Sequence, residues 1–244
     1  YLHLSPTVNC TAETCLLNAL YKDLMCLDYR ITCSDNPIDI SRFARINLTV
    51  GDKDSIGVLA RHGISMKAAE LASLKELVLS LSQGSKARHY IALPTDNGCM
   101  TVFDGKEIRP FLNTGISTIP AKCKVLYYKI FENMMDYLSY VELDSRRSWQ
   151  MMGITTAIIL NGEDNIEEAI SFFKKHKGVE AIQCYFPNDT RGHNLYRYFA
   201  REVGRRFIRN KSDEFFPYRS LSEAVRTKVP SVVMRRLVKW KKIA

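Results

Sequence analysis

The sequence predicts an α+β fold of tandem α-β-β-β-α modules, each with an antiparallel three-stranded sheet, the second copy lacking a clear first helix. Three observations carry that expectation. Gly-Ile-Ser occurs twice, at residues 63–65 and 115–117, each time ahead of a stretch bearing Lys and Ala. Strand-like segments stand upstream of both copies. A third serine-led stretch repeats the same spacing, with Ser220 and Ala224 set apart as Ser65 and Ala69 are, and as Ser117 and Ala121 are.

The elements follow in order. Leu16, Leu17, Leu20 and Leu24 form one apolar helical stripe. Ala44, Ile46, Leu48 and Val50 alternate with Arg45, Asn47 and Thr49 as in a half-buried strand, and Gly51-Asp52-Lys53 reads as a hairpin turn. Ser65 is a good N-cap, and the alanines and leucines from Ala68 to Leu77 favour one continuous helix behind it. In the second copy two strands flank Asp104-Gly105, and Gly115-Ile116-Ser117 opens a helix reaching about Leu138, with Pro120 in its first turn. Further on, Ile166, Ala169, Ile170 and Phe173 share a helical face. A strand through Phe186, a polar loop over 187–194 and the stretch "LYRYFAREVGRRFIRN" come next. A helix led by Ser220 follows, broken by Pro230. The resulting boundaries are 1–84, 85–147 and 148–244.

Composition narrows the function. A net charge of +9 favours a polyanionic partner. Residues 148–244 hold 18 Lys and Arg against 10 Asp and Glu, so they carry +8 of that charge. Seven cysteines without C-x-x-C spacing and five scattered histidines predict no metal centre and no cofactor, and they fit a reduced setting, cytoplasmic or nuclear. No apolar run approaches the roughly 20 residues of a membrane span. Neither G-x-S-x-G, a P-loop nor H-E-x-x-H occurs, which predicts a protein that is not an enzyme.

A helix, three antiparallel strands and a second helix opened by G-x-S, then Lys and Ala, resembles the double-stranded RNA-binding domain (dsRBD) family, most clearly over residues 10–82. That resemblance implies recognition of duplex RNA by shape, with lysines at the start of the second helix meeting phosphates. The matching positions are Lys67 in the first copy and Lys122 with Lys124 in the second. The third has no lysine directly after Ser220, but Arg219, Arg226, Lys228, Arg235 and Arg236 surround that helix, and His193 lies in the loop where the family places its histidine. The departures are as informative. Met66-Lys67-Ala68-Ala69-Glu70 keeps one lysine of an expected basic run, and each lost phosphate contact weakens RNA binding. The family's first-helix acid or amide falls at Ala19. The resemblance thus implies a non-catalytic adaptor or scaffold in RNA processing or RNA silencing. It would bind protein partners and double-stranded or structured RNA, and a dimer is among the expected assemblies.

A rival reading rests on "GITTAIILNGEDNIEEAISFFKKHKGVEAIQCYFPND", which looks like the opening of a PIN or NYN ribonuclease. Such enzymes hold a divalent metal with carboxylates. Here Asn161 stands where an aspartate is expected, leaving Asp164, Asp189 and Asp213 as substitutes.

Overall fold

In the computed structural model the described residues are 44–79, 87–111, 114–122, 127–146, 154–176, 179–204 and 207–227. They build two five-stranded sheets. The first is antiparallel throughout, in the order β1 (Ala44–Asn47), β2 (Lys75–Leu79), β3 (Arg88–Pro94), β4 (Met100–Phe103), β5 (Ile108–Phe111). Two helices, α1 (Lys53–Arg61) and α2 (Met66–Leu71), lie between β1 and β2 in sequence.

The second sheet runs β10 (Ile208–Asn210), β9 (Ala181–Tyr185), β7 (Tyr127–Phe131), β8 (Thr156–Ile159), β6 (Ser117–Ile119). All of its pairs are parallel except β6 with β8. Parallel neighbours need crossover connections, and helices supply them: α3 (Met134–Ser145) joins β7 to β8, α4 (Ile166–Lys175) joins β8 to β9, and α5 (Thr190–Val203) joins β9 to β10. A short α6 (Leu221–Arg226) closes the described chain.

Burial explains why the strands of this sheet read as apolar runs. Both faces are covered. Ile130, Ile158, Ile182 and Cys184 pack against Ile170, Phe173 and Phe199 of α4 and α5. Phe131, Ala157, Ile159 and Tyr185 face the other way, into a cluster with α3. That cluster also holds Leu59 of α1, Ala68 and Ala69 of α2, Ile91 and Phe103 of the antiparallel sheet, and Leu221 of α6. Helix α3 is buried almost along its whole length. Its Glu142 accepts from the Ser65 amide at 2.8 Å and hydroxyl at 2.6 Å, so a carboxylate meets the amino end of α2. Burial works to raise the Glu142 pKa, but the Ser65 and Arg146 hydrogen bonds outweigh it and hold the carboxyl below its ordinary value.

The expectation of tandem α-β-β-β-α modules with three-stranded sheets is overturned. Strands pair across residue 84, β2 with β3, and across residue 147, β7 with β8. Mixed α/β architecture replaces the dsRBD arrangement. The two Gly-Ile-Ser stretches adopt different structures. Gly63 takes φ +75° after α1, and Ser65 caps α2 by accepting from the Ala68 amide at 3.2 Å. Ser117 instead begins β6. Met-Lys-Ala-Ala follows the first serine and favours helix; Thr-Ile-Pro follows the second and favours an extended chain, so the helix expected from Gly115 to Leu138 is β6, β7 and the start of α3. Asp52 lies in no hairpin turn: its side chain accepts from the Asp54 and Ser55 amides at 2.9 and 3.0 Å and caps α1. Helix α2 stops at Leu71, and Leu77 belongs to β2. The leucine stripe from Leu16 to Leu24 and the Pro230 break lie outside the described residues.

Candidate active site at the carboxyl ends of the parallel strands

Strand order dictates where to look. From β7 the chain crosses to β8 on one side, and from β8 it returns to β9 on the other. Open α/β sheets form their binding crevice at such a switch, beyond the carboxyl ends of the strands. Glu132 follows β7 directly, Glu163 lies three residues past Leu160 at the end of β8, and Asp189 lies beyond β9.

Each acid is placed by local structure. Leu160 donates to the Phe131 carbonyl at 2.9 Å and Gly162 to the Glu132 carbonyl at 3.1 Å, which brings the β8 turn alongside Glu132. That turn uses left-handed backbone at Asn161 (φ +57°) and positive φ at Gly162 (+130°). Asn161 also donates to the Gly115 carbonyl and the Ser117 hydroxyl, both at 2.9 Å, fastening the start of β6. Asp189 is the N-cap of α5 and accepts from the Gly192 amide at 2.8 Å. The glycine is required for packing: a Cβ there would lie 2.0 Å from the Pro187 carbonyl oxygen.

Two arginines knit the acids together. Arg191, in the first turn of α5, pairs with Glu132 and, at 3.3 Å, with Glu163. Arg219 donates through Nε to Asp189 at 2.7 Å, and its own carbonyl accepts from Asn188 at 2.6 Å. A fourth carboxylate, Asp136 in the first turn of α3, is fully enclosed and accepts from the Ser222 amide at 2.8 Å and Asn133 Nδ2 at 3.0 Å. It ties α6 to α3 behind the site.

Electrostatics separates the acids. Burial pushes the Glu132 carboxyl up, against the pull of Arg191 and with the push of Asp136. Burial likewise raises Asp136, against its hydrogen bonds from Ser222 and Asn133. Asp189 goes down, chiefly through the Gly192 amide and then through Arg219. At the opposite, amino end of the strands a groove of about 900 Å³ is lined by Tyr127, Lys129, Gln183, Phe207 and Arg209, and it gathers none of these acids.

Of the residues expected from sequence, Arg219 and His193 come to this site. His193 lies in α5, its Nδ1 2.6 Å from the Asp189 carbonyl. Lys67 is exposed on α2, Lys122 is exposed after β6, and Arg226 is exposed at the end of α6. They do not converge. Lys124, Lys228, Arg235 and Arg236 lie outside the described residues. Sequence reading missed Glu132, Glu163 and Arg191, and took Asp189 only as a stand-in. The available signal was an apolar strand ending in a carboxylate, seen at "YYKIFE" and again at "AIQCYFPND".

Comparison with known proteins fits this geometry and overturns the dsRBD reading. Residues 129–215 match the Toprim-like family model, a span that begins on β7 and ends just past β10. No curated protein matches the sequence. Among the solved structures that match, two illustrate the shared fold. One is the primase fragment of the bacteriophage T7 primase-helicase protein, 14% identical over 86% of this chain and 80% of that one, with a TM-score of 0.54. The other comes from a bacteriophage T7 assembly of lagging-strand DNA polymerase with primase domains bound to an RNA/DNA hybrid and dTTP. It is 13% identical over 84% of this chain and 96% of that one, again with a TM-score of 0.54. The chain therefore carries a Toprim-like segment within a primase-like fold. Neither the dsRBD family nor the PIN or NYN alternative is supported, and with them fall the RNA-silencing adaptor and the expectation of no enzymatic activity. Among the described residues no helix is long and apolar enough to cross a membrane.

Proposed function

We propose that this chain is a primase-type enzyme of DNA metabolism, joining nucleotides on a single-stranded nucleic-acid template at the carboxyl edge of its parallel sheet. The observation that carries this reading is the convergence of Glu132, Glu163 and Asp189 with Arg191 and Arg219 at the topological switch, in a fold that matches a primase fragment across both sheets. A basic chain of +9 suits a nucleic-acid partner.

The residues divide the chemistry. Arg191 and Arg219 offer planar guanidinium forks of the kind that hold phosphate oxygens. A phosphate that engages Arg191 competes with Glu132 and Glu163 for it, so substrate entry and release of those carboxylates are one exchange. The Asp189 cap and the Gly192 amide fix the amino end of α5 beside the crevice, and a helix amino end favours anions. Asp136 holds Ser222, and through it the Arg219 segment, in place.

Nucleotidyl transfer implies a divalent cation. The donor set suits one chemically: all three acids are hard oxygen ligands, and Glu132 is under-neutralised in its buried position. Glu132, Glu163 and Asp189 would hold it once phosphate has drawn the guanidinium groups aside. When bound, the ion supplies neutralisation of the substrate's phosphate charge.

The test is a priming assay with single-stranded DNA, ribonucleoside triphosphates and Mg²⁺ or Mn²⁺. Short oligoribonucleotides that disappear in Glu132→Gln support the reading. Failure to extend or bind any template overturns it, as does cleavage of the template in place of synthesis.

A further inference from the structure

We propose that Asp52, Glu76 and His89 form a second cation site, on the antiparallel sheet and independent of the phosphate crevice, suited to a divalent transition metal of the zinc type. Their donor atoms lie within 4.8 Å of one another, the one such group of three among the described residues. The fold places them without strain. Glu76 in β2 stands opposite Asn47 in β1 and Ile91 in β3. His89 is two residues from Ile91 and so points to the same face as a diagonal neighbour of Glu76. Asp52 reaches the pair from the amino end of α1.

Charge is the reason to expect a ligand. Glu76 is only 1% exposed, yet its hydrogen bonds come from neutral donors, Asn47 Nδ2 at 2.8 Å and the Asp52 amide at 3.1 Å. Among the described residues no Lys or Arg pairs with it. A buried carboxylate without a compensating cation is costly. His89 Nδ1 is shut off from solvent and makes no hydrogen bond. It stands 3.6 Å from Glu76 Oε1, too far for a good hydrogen bond. That separation fits two ligands each about 2.0–2.2 Å from a shared ion. Asp52 Oδ1 lies 3.9 Å from the other ring nitrogen, Nε2, and with one donor atom taken from each residue all three lie within 4.8 Å of one another.

Two carboxylates and an imidazole offer one ion two oxygen donors and one nitrogen donor. A mixed nitrogen and oxygen set with three protein ligands matches zinc sites that keep a fourth position open. Asp52 and His89 also line a cleft of about 620 Å³, whose walls include Asp54, Arg88, Tyr90 and Asp104.

The experiment is calorimetric titration of the full chain with Zn²⁺ at neutral pH, repeated with Co²⁺ while recording its visible spectrum. One site is expected, with no thiolate-to-cobalt charge-transfer band, and with a Zn²⁺-dependent rise in melting temperature. Affinity should fall by more than roughly tenfold in His89→Gln, since even outer-sphere changes cost that much. Asp52→Asn guards against misfolding, because asparagine caps a helix as well as aspartate while giving up the anionic ligand. It should also weaken Zn²⁺ binding. Absence of binding, a thiolate band, or affinity unchanged in both variants overturns the proposal. The readout does not depend on priming, so the site stands or falls apart from the proposed activity.

Discussion

Glu132 and Glu76 pose the same physical problem in two sheets, a carboxylate taken out of water, and the chain solves it differently each time. Beside Glu132 the compensation is a guanidinium, which keeps its charge at every working pH and can be handed to a phosphate. Beside Glu76 there stands instead an imidazole whose inner nitrogen has no hydrogen-bond partner. The first arrangement is built for exchange with an anion, the second for capture of a cation. The difference comes from topology. A parallel sheet sends its strand ends into a crevice shared by three crossovers, where helix starts supply arginines. An antiparallel sheet offers only its faces, where neighbouring strands put side chains side by side.

The largest effect should come from closing the crevice sterically. Gly192→Ala forces a Cβ to 2.0 Å from the Pro187 backbone carbonyl, and neither partner is a flexible side-chain tip. Overpacking of this kind costs about 1–3 kcal/mol or more. Chemical denaturation should register that loss, and priming should vanish, while Zn²⁺ binding on the other sheet survives in whatever fraction stays folded.

Next comes Glu132→Gln, where stability and activity should part. Because the folded-state pKa of Glu132 is raised, folding favours its neutral form, and stability attributable to it is lost as pH rises through that raised value. Glutamine removes the penalty and still accepts from Arg191. Priming should fall to background while the melting temperature at neutral pH rises by about 2–4 °C, the shift that about 1 kcal/mol gives a chain of this size. A drop in melting temperature would mean that the Arg191 pair outweighs the burial cost. Arg191→Met should act in the opposite direction on stability, since it strands Glu132 without its cation. Thermal melts of the two variants and of the double mutant measure the coupling directly.

How much of this was legible in the sequence follows from the range of the forces involved. The hairpin at Asp104-Gly105, the Ser65 and Ser220 caps and the apolar face of α4 were readable, because each is set by residues a few positions apart. Pairing of β7 with both β8 and β9 was not, since nothing local marks which strand takes which neighbour. Gly-Ile-Ser shows the limit: one tripeptide caps a helix and opens a strand, decided by Met-Lys-Ala or Thr-Ile-Pro behind it. The site suffered for the same reason. Arg191 falls in a stretch whose polar composition reads as loop, and only the contact of Asp189 with Gly192 reveals that α5 has already begun. Glu132, Glu163 and Asp189 are far apart in the chain and meet only because three parallel strands end at one edge.

The smallest effect belongs to Asp189, and it runs opposite in sign to Glu132. The Gly192 amide and Arg219 favour its ionised form, so the folded-state pKa lies below the ordinary carboxylate value. Stability from this group is present above the unfolded pKa and is lost as pH falls through the depressed folded one. Asp189 is partly exposed, so its pair with Arg219 is screened by solvent and worth about 0–1 kcal/mol. Asp189→Asn keeps the cap on α5 and gives up the ion pair. Melting curves from neutral pH down to acid should show the acid limb flattening slightly in Asp189→Asn, while Glu132→Gln gains most at neutral pH and least in acid. If both variants bend the profile the same way, the two acids share one titration, and the division of the crevice into an exchanged carboxylate and a fixed helix cap is wrong.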